Sequence, residues 1–430
     1  MSTPLSWRTV SLVGLMSVSA WLGCGPAVHA SEELSRALNQ DFDKGDLKGA
    51  EQRVRRRLEA APNDADAQFA SGVVRLLQGI EQLGQAQYRH GAFNDVTRGL
   101  PVFRMPVPEN PKPEVVSYQK VRQTFLDFQA AVVAAEAELA KVDVTKDVKL
   151  RLDFAGIRLD LTGDGRIGEG ESFLQVAGIA DRRIAVGSTD AYRVAFDAGD
   201  VPWLRGYCHF LAAFCDMVLA YDHQRLFDYC GQLVYNRIER SDPALAKLDM
   251  GPSEDWSARL ADAIAAIHLM NFPCIEPDRM KSAHEHLLAM IRTSRESWAL
   301  ILAETDNDDE WLPNPVQTGR LQVPVTQEMI DGWHGVLAEM EAILQGEKLV
   351  PFWRVYVRWL GPGVKIPATG PGVNLKRFFL EPREFDLVLI IQGSGVLPYV
   401  EEGQLSRPET WDNLQRVFGG RFFGFAAWFN

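Results

Sequence analysis

Apolar residues recur every three or four positions along most of this chain, so the pattern is helical over far more of its length than it is alternating. The helical period holds from Ser31 to about Leu100. It resumes in an alanine-rich stretch from Tyr118 to Val142, where Phe125, Phe128, Val132 and Leu139 fall near one face. Further helices are expected around 202–239, 254–271, 277–303 and 326–345, with Ser253, Asp278 and Thr326 placed to cap N-termini. Five prolines between Pro101 and Pro113 interrupt the pattern, and their fixed φ and missing N–H donors predict an extended connector. The last eighty residues alternate proline and glycine with short apolar runs, which predicts extended segments, with helices returning at 385–391 and 408–418. The fold class expected is mainly α and multi-helical, with a short extended or two-stranded element in the C-terminal region.

The N-terminus changes the compartment rather than the fold. A polar start with one charge, Arg8, leads into an apolar stretch from Val10 to Leu22, and Val28 and Ala30 precede a cleavage point ahead of Ser31. This reads as a secretory signal peptide and a periplasmic or secreted chain. Gly23-Cys24 would suit lipoprotein anchoring, but Trp21 stands where a lipobox takes Leu, Val or Ile, so cleavage after Ala30 is the expectation. Beyond it no run of 18 apolar residues occurs, so no transmembrane segment is expected in the mature chain. The division expected is a signal peptide at 1–30, helical hairpins at 31–100, a Pro-rich connector at 101–116, a helical domain at 117–350, and a C-terminal region, 351–430, packed on it.

After removal of the signal, 44 Lys plus Arg face 57 Asp plus Glu, a balance of −13. An acidic surface argues against nucleic acid and against anionic membranes as partners. The basic run from Arg53 to Arg57 is expected on a solvated helix face. Four cysteines remain. Cys208 and Cys215 lie too far apart along a helix to pair, whereas a chain turn near Asp222 would bring Cys215 to Cys230 and leave Cys208 for Cys274. Four free thiols are the alternative.

Within the first helices Gly45 opens a turn, Ala50 falls five residues later where helices pack closest, Pro62-Asn63-Asp64 closes the unit, and Gly72 fits the next small-residue position. This stretch, 33–72, resembles a tetratricopeptide repeat. Arg57 stands where that family prefers Ala, and the large aromatic of the first helix is displaced to Phe42. The resemblance implies a helical hairpin that presents a groove to a protein partner.

Chemistry is named most clearly between Asp160 and Glu171, in DLTGDGRIGEGE. Asp160, Thr162, Asp164 and Glu171 offer side-chain oxygens at positions one, three, five and twelve, Arg166 offers its carbonyl at seven, and Gly165 occupies the sharp turn at six. The run resembles an EF-hand loop and the related loops of bacterial dockerins, which implies calcium as cofactor. A hard cation takes six to eight oxygens, and a tightly wound loop is what aims alternate side chains at one point. Thr162 is neutral and Gly168, at position nine, offers no side chain, so affinity is expected on the order of 10⁻⁴ M. A single loop of this kind outside the cytosol reads as a structural clamp.

Other candidates are thinner. The acidic stretch Asp306 to Glu310 lacks loop spacing and is expected to be solvated. His284 and His286 point apart on a helix and cannot share a metal, and Gly393-Ser394-Gly395 lacks the GxSxG pattern and reads as a glycine terminator. Glu239, Asp242, Glu401 and Glu402 lie near element ends, but nothing in their spacing marks a catalytic pair. The function expected is an exported helical binding or scaffold protein with one structural calcium site and a protein partner on its N-terminal helices. The alternative is a calcium-stabilised hydrolase of cell-wall or other extracellular polymer, which a cleft lined by paired acids would distinguish.

Overall fold

The computed structural model describes residues 25–92, 105, 107–168, 170–174, 192–245, 255–320, 324–356 and 366–407. Most of the signal segment, Cys24 and the helix expected at 408–418 lie outside these residues, as does part of the connector. The first helices follow their local signals. α1 (Gly25–Asp43) ends at a turn through Gly45, whose φ is +68°. α2 (Leu47–Ala60) starts where the Asp46 carboxylate accepts the Gly49 N–H, and α3 (Ala65–His90) where Asp64 accepts that of Ala67. α4 (Tyr118–Leu139) is capped by Ser117 and buries Phe125, Phe128, Val132 and Leu139. The face legible in the sequence is therefore the packed one.

The helical stretch expected over 202–239 contains the chain turn near Asp222 rather than running unbroken. α5 (Asp200–Leu219) stops at Ala220, α6 (Gln224–Cys230) follows a turn, and a 3-10 segment takes over at Gly231. The Arg122 guanidinium donates to the carbonyls of Leu219 and Tyr221, which satisfies acceptors left open at the C-terminus of α5. α7 (Trp256–His268) is capped by Asp255 and α9 (Gln327–Leu344) by Thr326. In α8 (Pro277–Ile301) Pro277 occupies the first turn, and Asp278 lies inside the helix rather than capping it.

Short antiparallel strands complete the fold. β1 (Leu150–Asp153) pairs with β2 (Arg193–Phe196), with Leu150 opposite Phe196. β3 (Asn271–Phe272), from the helical part of the chain, pairs with β6 (Phe385–Asp386), and β4 (Val350–Pro351), β5 (Thr369–Val373) and β7 (Val400–Gln404) form a three-stranded sheet in the order β4-β5-β7. α10 (Leu375–Leu380) and α11 (Leu387–Gln392) lie between these strands, and Gly393 at φ +104° ends α11 as a glycine terminator. The mainly α fold with short C-terminal strands is thus present. The β1-β2 pair in the middle of the chain is an addition to it.

A single apolar cluster runs from Leu38 and Phe69 in the first helices through Leu139 and Cys215 to Trp298 and Ile330. α1 also guards the outer edge of β1. Ser35 accepts the Arg151 N–H, and Asn39 both donates to the Arg151 carbonyl and accepts the Asp153 N–H, at 2.9 to 3.0 Å. Two polar side chains one turn apart thereby occupy backbone groups that an unpaired edge would offer to another strand. Among the described residues no helix is long and apolar enough to cross a membrane.

Candidate metal centre

The segment from Ile157 to Phe173 is a loop pinned at its base. Arg158 and Ser172 form an antiparallel bridge, and the Leu159 N–H donates to the Glu171 carbonyl at 3.1 Å. The same base is fastened to the first helices, because the Arg158 N–H donates to the Phe42 carbonyl at 3.0 Å. Ile167 leans on the α1-α2 turn so closely that a Cβ at Gly45 would collide with its side chain. On the other side α3 reaches in. Its Glu81 carboxylate accepts the Asp160 N–H, and its Gln85 amide donates to the Asp160 carbonyl, both at 2.8 Å.

Inside the loop the two terminal carboxylates organise the backbone. Asp160 accepts from the N–H groups of Gly163, Asp164 and Gly165 at 2.7 to 3.2 Å and from the Thr162 hydroxyl at 3.4 Å. Glu171, which is buried, accepts from the N–H groups of Thr162 and Gly168 at 2.8 and 2.6 Å. Asp164 accepts the Arg166 N–H at 2.8 Å and is otherwise exposed. Gly163 and Gly165 sit at φ +74° and +77°, a conformation that favours glycine and allows so tight a winding. Each carboxylate keeps lone pairs beyond those its N–H donors use. The donor set is hard oxygen, which suits calcium. The oxygens of Asp160, Asp164 and Glu171 do not, however, all lie within 4.8 Å of one another.

Sequence reading missed Glu81. It belongs to a helix 79 residues away and has no loop spacing to announce it. Burial, opposed by the Asp160 N–H, together with the charges of Asp160 and Glu171, pushes its carboxyl up to about 7. The three neighbouring acids repel, and a proton or a cation relieves the repulsion.

A second convergence of acids was also missed. Among the described residues Asp197, Glu304 and Glu310 bring carboxylate oxygens within 4.8 Å of one another, close enough in principle for one hard cation. Asp200 lies fully buried behind them at the start of α5, accepting the Asp197 N–H at 3.1 Å. Burial, then the Asp197 charge, raises Glu304 to about 9, and burial, with Asp197 and Asp306 adding to it, raises Glu310 to about 7. Four acids from two segments, Asp197 with Asp200 and Glu304 with Glu310, share this spot, so at neutral pH the group holds protons.

The stretch from Asp306 to Glu310 is only partly the solvated loop expected, with Asp306 and Asn307 exposed. Glu310 is buried, Asp308 pairs with Lys149 and Arg151 at 2.6 and 2.5 Å, and Asp309 pairs with Arg320 at 2.7 Å. The basic partner of this stretch is the chain's own β1 and its flank. Asp309 adopts φ +63°, the one positive value at a non-glycine among the described residues.

The histidines expected to diverge do so. His284 is buried with Nε2 2.7 Å from the Leu344 carbonyl, while His286 turns to α5 and places Nδ1 3.0 Å from His209 Nδ1. Burial pushes His209 down to about 4, with the charge of Glu136 opposing and His286, Arg205 and Arg292 assisting. Although the chain turns near Asp222, Cys208, Cys215, Cys230 and Cys274 are all free thiols. Burial raises each, Cys215 to about 12, so none is a thiolate nucleophile. Of the acids near element ends, Glu401 is held by Asn374 at 2.8 Å, and Asp242 accepts the Ala244 N–H.

A groove of about 450 Å³ opens between α1 and the β1-β2 pair, lined among others by Arg36, Asn39, Asp43, Arg151, Arg193 and Asp309. Its lining carries charges of both signs, and the converging acids Asp197, Glu304 and Glu310 are not part of it. No protein-family model matches the chain, and no curated protein or solved structure resembles it closely enough to count as a match.

Proposed function

We propose that this chain is an exported helical binding or scaffold protein in which the Asp160–Glu171 loop holds one structural calcium ion and the α1 groove receives a protein partner. The observation that carries the reading is the winding of the loop. Five backbone N–H groups already point at Asp160 and Glu171, and the loop is wedged between the α1-α2 turn and α3. Calcium would supply charge neutralisation and a fixed centre for Asp160, Thr162, Asp164, the Arg166 carbonyl and Glu171. Asp164 must swing inward to join, and its exposure leaves it free to do so. The ion would then bind three segments of chain into one support for α1.

The groove on α1 suits a short polypeptide stretch of mixed charge, because both arginines and aspartates line it. The hydrolase alternative is weaker, since the acids that converge do not line this groove and Glu310 is buried. Release of soluble fragments from purified cell wall would promote it. A pull-down from native envelope extract tests the binding reading. The intact chain is expected to recover a partner that Arg36→Glu/Gln40→Glu does not, and recovery is expected to drop when calcium is chelated. Identical recovery by both proteins, or by neither, contradicts the reading.

A further inference from the structure

α7 carries a row of large apolar side chains that nothing among the described residues covers. Trp256, Leu260, Ile264 and Ile267 are 45 to 75% exposed and follow at spacings of four, four and three, so they form a single stripe. No residue of this helix is buried. A 13-residue helix is marginal in water by itself, and an apolar stripe of this length is what tertiary packing normally hides. α11 packs beside it and also leaves Val388 and Ile391 exposed, at 47 and 68%. Scattered apolar residues on a surface need no explanation; four large ones in one stripe along a helix do.

We propose that the chain's own C-terminal segment, residues 408–430, docks on this face. The segment follows β7 and lies outside the described residues. It contains nine large apolar residues, among them Trp411, Leu414, Phe418, Phe422, Phe425 and Trp428, against two acids and two arginines. Its net charge is zero. The α7 surface is similarly balanced, with Arg259 and Asp262 its charged residues, so apolar contact rather than charge selects the occupant. A lipid surface fits less well, because helices that lie in the headgroup region carry a Lys/Arg-rich polar face.

Reach does not limit the proposal. Only 15 residues separate the end of α11 at Gln392 from Arg407. The 23 residues beyond span roughly 35 Å as a helix and up to about 75 Å extended. Tethering also gives the segment an effective concentration of order millimolar, which a second copy of the chain does not have at ordinary dilution. Trp411, Leu414 and Phe418 follow at spacings of three and four, so in helical form they would share one face. This inference does not depend on calcium or on the α1 groove.

Photo-crosslinking of the full-length chain tests it, with a benzoylphenylalanine at exposed position 264. The expected product has monomer mass, joins position 264 to a peptide from 408–430, and is lost in full-length chain carrying Phe422→Asp, Phe425→Asp and Trp428→Asp. The crosslink in the otherwise unaltered chain stands even if the triple variant folds poorly. A product of twice the monomer mass would show a second copy on the face and overturn the proposal. So would crosslinks confined to other peptides, or no crosslink at all.

Discussion

At the scale of single residues, the burial of titratable groups has consequences that can be read in solution. His209 is pressed between α4, α5 and α8, facing Glu136, Arg205, His286 and Arg292, and burial holds it down to about 4 against an ordinary 6.5. In the window from about 6.5 to about 4 the unfolded chain takes up a proton that the folded chain refuses. Stability contributed by the neutral ring is present above the unfolded value and is lost as pH falls. His209→Gln is expected to remove part of this loss, ~1–2 kcal/mol after allowing for the ring's partial exposure, while changing little of the slope above pH 7. Urea unfolding at pH 5 and pH 7.5 measures the difference, and equal pH slopes for the two proteins would refute it. Such effects were not legible beforehand, because His209 and His286 are 77 residues apart and meet only through the packing of α5 on α8.

At the scale of elements, most helices were legible because their signals are local. Asp46, Asp64, Ser117 and Thr326 cap where capping residues belong, and Gly45 and Gly393 end helices at positive φ. The break after Leu219 was legible only as one of two alternatives, since α5 stays apolar to its end and the carbonyls there are satisfied by Arg122, a residue about a hundred positions earlier. β1 was overlooked although Leu150 and Leu152 alternate with Arg151 and Asp153, because four residues are too few to outweigh the surrounding helical pattern. Its stability rests on α1. Asn39→Ala removes two hydrogen bonds to the β1 backbone and leaves the groups at Arg151 and Asp153 to water, with an expected cost of ~1–3 kcal/mol. Hydrogen exchange localised to 150–153 and 193–196 is the check; unchanged protection would show that α1 does not hold the strand.

At the scale of the whole molecule, the first helices join the centre through the shared apolar core, and the pinned loop adds hydrogen bonds from its base to α1 and α3. The candidate loop, with Asp160, Thr162, Asp164, Gly165, Arg166 and Glu171, could be picked out in the sequence because its residues follow one another at the spacing a calcium loop would need. What could not be read is its setting: Glu81 and Gln85 from α3, Gly45 from the α1-α2 turn, and the Phe42 carbonyl all come from elsewhere in the chain. The cluster of Asp197, Asp200, Glu304 and Glu310 was hidden for the same reason, its members contributed by separated segments. Isothermal titration of the full-length protein with calcium tests the central claim most directly. The account predicts heat that fits one site with Kd on the order of 10⁻⁴ M, and its loss in Asp160→Ala/Glu171→Ala. Absence of heat from the unaltered chain, or equal heat from the double variant, would contradict it.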